Sequence, residues 1–176
     1  MTASFVLGEG VTTPARPTPY RRKFGDPVHR PLRVYTQDPT ASSFDHPVAV
    51  LNVPWEPLGP GPSGALFVVR DIHRPSGQTF RPVDLDELPI VMNQGLAATS
   101  SDPQFAQQMT YAVAMATYER FQLALGRLPE FAPSIRAVGG GRLDICPHFD
   151  NDDNAYYDPD LRALCFGYVK AGPQAA

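Results

Sequence analysis

The residues able to do chemistry in this chain are few: four histidines, two cysteines and a cluster of aspartates late in the sequence. His29, His46, His73 and His148 are spaced so that none has a second histidine four residues away. The His-Glu-x-x-His pattern that sets two imidazoles on one helix face around zinc is therefore absent. Cys146-Pro147-His148 places a thiol and an imidazole two residues apart, which on a strand is the same face. Such a pair would serve as metal ligands or as nucleophile and base, but the intervening proline and the lack of further ligands argue against both. Asp150-x-Asp152-x-Asn154 matches the first half of an EF-hand loop, yet Ala155 stands where the turn needs glycine and Leu161 where the bidentate glutamate belongs. An EF-hand is thereby excluded. The loop at 150–153 reads as a solvated acidic turn, with a calcium site of another kind as the alternative. Gly139-Gly140-Gly141 lacks the strand-to-helix setting and the Lys-Ser/Thr of a phosphate cradle, and reads as a joint. Asp84, Asp86 and Glu87 read as helix-start or surface carboxylates.

The elements that must position these residues divide the chain. Of its 20 prolines, 14 precede position 90. Residues 1–30 read as a flexible proline-rich leader, and Arg16, Arg21, Arg22, Lys23, Arg30 and Arg33, in or just after it, as a solvated basic arm. Residues 31–100 read as a β-rich subdomain, a small and mostly antiparallel sheet. Its strands are expected at 32–35, 48–53 and 65–70, with a further one near Thr79-Phe80. The stretch from Pro54 to Gly64 is turn chemistry almost throughout and cannot be a central strand. The strongest element is a helix over 102–126, with a capping side chain and Pro103 at its start and Gly126 as its stop. Its wide apolar set predicts burial on more than one side. A shorter helix is expected within 85–96. Strand residues 143–146 then lead into the acidic loop, and Asn154-Ala155-Tyr156-Tyr157, a turn at Asp158-Pro159-Asp160 and a strand over 163–169 make a hairpin. The fold class is α+β: a β-rich first half, one long buried helix, then a β-hairpin.

The 176 residues are 43% hydrophobic and 19% charged, enough for a core and too apolar for wholesale disorder. A net charge of −3 gives no global reason to expect nucleic acid or an anionic membrane as partner. No apolar run approaches a membrane span, and the first ten residues lack the form of a signal peptide. The expectation is a soluble cytoplasmic protein. Cys146 and Cys165 make no disulfide framework; they are expected as reduced, half-buried thiols, with facing positions on neighbouring strands as the alternative.

Two stretches resemble thermolysin-like zinc metallopeptidases. Ser101 to Val113, running on to Tyr118-Glu119-Arg120-Phe121, is similar to the helix that precedes the active site in that family. Asp153-Asn154-Ala155-Tyr156-Tyr157 followed by Ala163-Leu164-Cys165-Phe166-Gly167-Tyr168 resembles its Asn-Ala-aromatic-aromatic edge strand and the strand after it. The run from about 32 to 169 looks most like bacterial peptidase-like proteins of this group. The resemblance implies a cleft-lining edge strand to which a peptide or protein substrate adds as an antiparallel strand. Asn154 would contact the substrate backbone through its amide, Ala155 through its carbonyl, and Tyr157 would line the cleft, while Tyr156 turns inward as a core anchor. It further implies a zinc-binding helix after residue 176. This chain would then be the amino-terminal portion of the peptidase, with residues 101–176 an incomplete catalytic domain. As it stands it is expected to hold no cofactor, to cleave nothing, and to self-associate through its exposed edge; zinc belongs to a full-length parent. Gly167-Tyr168 replaces the family's usual Gly-Asp-Gly. The alternative is a stand-alone β-rich interaction module without catalytic activity.

Overall fold

A computed structural model describes residues 17–37, 47–132 and 141–168. Most of the leader, His46, Gly139, Gly140 and the last eight residues lie outside them. The described residues form an α+β fold in which a long helix, α2 (Pro103–Leu125), packs against strands drawn from both ends of the chain. None of the described helices is long and apolar enough to cross a membrane.

The first pair, β1 (His29–Tyr35) and β2 (Val48–Pro54), is an antiparallel ribbon. Its alternation buries Leu32, Val34 and Val53 on one face, as period-two patterning requires. β3 (Phe67–Val69) does not join this ribbon. It pairs in parallel with β6 (Leu143–Asp150), some 75 residues later, and so departs from the mostly antiparallel sheet expected of the first half. The physical reason lies in its composition: Phe67, Val68 and Val69 are all buried, the unbroken apolar run of a strand covered on both faces. β4 (Ile72–His73) and β5 (Gln78–Thr79) form a short separate hairpin. The main sheet runs in the order β3-β6-β8-β7, with β8 (Ala163–Gly167) parallel to β6 and β7 (Ala155–Asp158) antiparallel to β8. The strand–turn–strand hairpin read from 154–169 is thus present as far as Gly167, with Val169 outside the described residues, and β7 is the outer strand of the described sheet.

Helix α2 starts and stops where its sequence dictates. Asp102 caps it, its side chain accepting from the Gln104 N–H at 2.9 Å, Pro103 sits in the first turn, and Gly126 adopts the left-handed conformation (φ 64°) that ends the helix. Its inward face carries Tyr111, Ala112, Met115 and Tyr118 into one core with Leu32, Val53, Phe67, Leu85 and Ile145, while Phe105, also buried, meets the Tyr35 ring edge-on at 5.2 Å. The expected cover on more than one side is not present among the described residues: Val113, Phe121, Leu123 and Leu125 remain exposed. The shorter helix, α1 (Leu88–Met92), is a single turn with Pro89 at its start, where a missing N–H is harmless.

Arg30 overturns one expectation. It is buried (5% exposed), not part of a solvated arm. Its guanidinium donates to Leu85 O (2.6 Å) and Glu56 O (2.9 Å) and pairs with Asp86, which also accepts from the Leu58 N–H at 2.9 Å. Asp86 is accordingly a structural anchor and not merely a surface carboxylate. Glu56, within the proline-rich link, is just as deep: it accepts from the Ala65 N–H and the Tyr111 hydroxyl, each at 2.7 Å.

Candidate functional site

The expected substrate-facing residues Asn154, Ala155 and Tyr157 lie along the open side of β7 and are exposed. Pairing fixes which backbone groups are free. Gly167 N–H donates to Asn154 O at 2.7 Å, making Asn154–Gly167 a hydrogen-bonded pair. In an antiparallel ladder such pairs alternate, so Tyr156 bonds towards Cys165, its register partner, and the backbone groups of Ala155 and Tyr157 turn outward. The outward Ala155 N–H is occupied by its neighbour, donating to Asn154 Oδ1 at 2.9 Å. Ala155 O and both backbone groups of Tyr157 are left facing the open edge.

Tyr156 points to the other face, against Cys146, Phe149, Ala163 and Cys165. Its hydroxyl donates to Asp150 Oδ2 at 2.7 Å, and this bond, reinforced by burial, pushes the phenol up to about 12. Asp150 is further held by Arg74, through Nε at 3.1 Å and a terminal nitrogen at 2.7 Å. The acidic loop therefore opens with a committed structural carboxylate and not with a ligand awaiting calcium. Asp152 Oδ1 is buried without a hydrogen-bond partner, but no group of three or more His, Cys, Asp or Glu among the described residues is arranged to hold a metal ion.

Cys146 and Cys165 face each other as register partners on β6 and β8, the arrangement weighed as the alternative from sequence. Both are free thiols and buried, at 6% and 0% exposed, where half-burial was expected. Burial, with the second thiol alongside, pushes Cys146 up to about 12, and burial likewise raises Cys165. Cys146 does not meet His148 as nucleophile and base: the imidazole is bonded instead to Asp71. The strand alternation that would put both on one face is broken by a register irregularity between Cys146 and Asp150.

Directly opposite residues of an antiparallel pair share a face, so Ala155 and Tyr157 lie on the side of the sheet that carries Phe166 and Leu164. There an apolar groove of about 560 Å³ opens between the sheet and α2. Leu164 and Phe166 form one wall and Val113, Thr117 and Phe121 another, with Phe131 among the remaining lining residues. Sequence reasoning missed this groove. The signal for it was the apolar width of α2, which marks a second face without saying whether that face is covered.

Comparison with protein-family models, with curated proteins and with solved structures finds no match.

Proposed function

We propose that this chain is the amino-terminal portion of a zinc metallopeptidase-like protein, and that β7 is the strand against which an extended peptide or protein substrate aligns. The observation that carries the reading is the free edge: Ala155 O and the Tyr157 N–H and carbonyl point outward from the outermost strand of the sheet. These are the groups a peptide needs in order to add by strand pairing, with Ala155 small enough to admit its backbone and Asn154 beside it to bond through its amide. The groove on the same face supports the second half of the proposal. An apolar surface bordered by Val113, Phe121 and Phe166 is the kind a further helix of the same domain would cover.

Zinc belongs to that further part. The described residues do not form its ligand set, and no catalytic step is assigned to them. Their role is to hold substrate in register. A cytoplasmic location fits the two free, buried thiols, which a reducing compartment preserves. An uncovered β7 also favours edge-to-edge self-association of the chain on its own.

Substitution at Tyr157 tests the edge directly. Proline is tolerated on an edge strand where its missing N–H faces solvent, so Tyr157→Pro deletes one outward donor without touching the ladder to β8. Tyr157→Ala controls for loss of the ring. Binding of a six-residue peptide of alternating valine and lysine, chosen to suit the acidic surroundings of β7, is expected to be weaker in the proline variant than in the alanine variant. The difference should be about 3–10-fold, the worth of one hydrogen bond. Equal affinities for the two variants would remove β7 as the docking strand.

A further inference from the structure

Three of the four strands in the main sheet, β3, β6 and β8, run parallel. At or just beyond their carboxyl ends stand Asp71, His148 and Tyr168. The crevice outside the carboxyl ends of parallel strands is where open sheets characteristically bind ligands. Here a cavity of about 280 Å³ lies at that end, and among the described residues no lysine, arginine, aspartate or glutamate lines it.

The polar network behind this cavity is saturated at every atom but one. Gln107, fully buried on α2, accepts from the Val83 N–H through Oε1 at 2.9 Å, which fixes its amide orientation. Its Nε2 then donates to Asp71 Oδ2 at 2.9 Å and to Arg81 O at 3.1 Å. Asp71 Oδ1 stands 2.8 Å from His148 Nδ1. A carboxylate can only accept, so Nδ1 carries the proton, and in the neutral ring Nε2 presents a lone pair. His148 is only 8% exposed, yet Nε2 has no hydrogen-bond partner among the described residues and is not among their sealed, unsatisfied atoms; it opens on the cavity that the residue lines. The ring is held by Phe80 and Tyr168, with centroids 5.1 and 5.0 Å away. His73, also on the wall, is not a second ligand, since its two nitrogens are taken by Ser76 Oγ (2.6 Å) and Asn151 Oδ1 (2.9 Å).

We propose that this cavity binds a small neutral hydroxyl-bearing molecule of the polyol or sugar class, one of whose hydroxyls donates to His148 Nε2. A single oriented acceptor with a carboxylate behind it favours a proton donor and repels an anion, for which the described walls offer no counter-charge. One imidazole without further ligands does not hold a divalent metal. Ser100, Ser101 and Gln78 supply hydroxyl and amide partners for further hydroxyls, and the Phe80 and Tyr168 rings supply apolar faces for C–H surface. This site is separate from the β7 edge and does not depend on the peptidase reading.

The test is long-range proton–nitrogen NMR of the imidazole in its neutral form, with glycerol, inositol and glucose as separate millimolar probes and inorganic phosphate as the anionic comparison. The expected result is an Nδ1–H tautomer for His148 and a saturable shift of its Nε2 signal with at least one of the three, but none with phosphate. In Asp71→Asn the new side chain must turn its oxygen to Gln107 and its amide nitrogen to His148 Nδ1. This forces the Nε2–H tautomer and should weaken polyol binding about tenfold. Should that variant not fold, Phe80→Leu leaves the network intact and should weaken binding several-fold with the tautomer unchanged. An Nε2–H tautomer in the unsubstituted protein, no saturable shift from any of the three probes, or a shift produced by phosphate would each overturn the proposal.

Discussion

Tyr111→Phe removes a single oxygen from the centre of the molecule, and the structure says what that oxygen does. Tyr111 is fully buried, and its hydroxyl donates to Glu56 Oε1 at 2.7 Å, inside a site where Glu56 is only 2% exposed. Burial beside the carboxylate raises the phenol well above its ordinary range, so it remains a donor at all relevant pH. The other carboxylate oxygen keeps its bond from the Ala65 N–H. Deleting the hydroxyl thus leaves one oxygen of a buried charge without a partner. Hydrogen bonds to charged groups contribute about 1.5–3 kcal/mol, and the orphaned acceptor places this one near the upper end. We expect a loss of about 2–3 kcal/mol, read as a lowered urea midpoint with unchanged slope, and a fall in Tm of about 5–10 °C. Tyr118→Phe is the internal standard: its hydroxyl donates to the neutral Pro129 carbonyl at 3.0 Å, so its loss should cost about 1 kcal/mol. In a Glu56→Gln background the Tyr111→Phe cost should shrink towards that standard. If Tyr111→Phe costs no more than Tyr118→Phe, the buried carboxylate does not anchor the proline-rich link as described.

Arg30→Ala should cost about 2–3 kcal/mol by denaturant unfolding, because it removes the guanidinium from Leu85 O, Glu56 O and Asp86 Oδ1 together, leaving the Asp86 carboxylate only its bond from the Leu58 N–H among the described residues. Arg30→Lys should not restore the loss, since an ammonium cannot reach all three as the guanidinium fork does. The thiols give a pH signature. Cys146 lies near 9.0 when unfolded and near 12 when folded, so above about 9 the unfolded chain binds fewer protons than the native one. Their stabilising contribution is complete below that pH and declines as pH rises towards 12; Cys146→Ser should flatten this alkaline decline in a stability–pH profile. Phe121→Ser, at a position 58% exposed on the groove, should change stability by less than about 1 kcal/mol while reducing binding of a hydrophobic dye. A larger destabilisation would mean that the groove is already filled.

What the sequence disclosed and what it hid differ in the range of the interactions concerned. The ends of α2 were legible because Asp102, Pro103 and Gly126 act within a turn of their own position. The β7–β8 hairpin was legible for the same reason, its strands being joined by only four turn residues, 159–162, where the turn was read at Asp158-Pro159-Asp160. The pairing of β3 with β6 was not, since nothing local in Phe67-Val68-Val69 names a partner beyond an intervening helix. The polar anchors were hidden by the same distance: Arg30 meets Leu85, Glu56 meets Tyr111, and Asp71 meets His148. One clue was available. Gln107 and Gln108 fall among the core-facing positions of an otherwise apolar helix face, and a buried amide there must bond to something. Gln108 does so with the Leu96 N–H at 2.7 Å and Arg33 O at 3.0 Å. The outward geometry of Ala155 and Tyr157 followed from strand alternation, but only once Asn154–Gly167 was known to be a bonded pair.

The central claim, that β7 receives an extended peptide, is tested most directly by residue-resolved amide exchange of the whole chain with the alternating valine–lysine peptide in excess. The account predicts slowed exchange at the Tyr157 N–H, which faces the open edge, and no change at Tyr156, whose backbone is already paired with Cys165. Unchanged exchange at Tyr157 under saturating peptide, or equal slowing at Tyr156 and Tyr157, would contradict it.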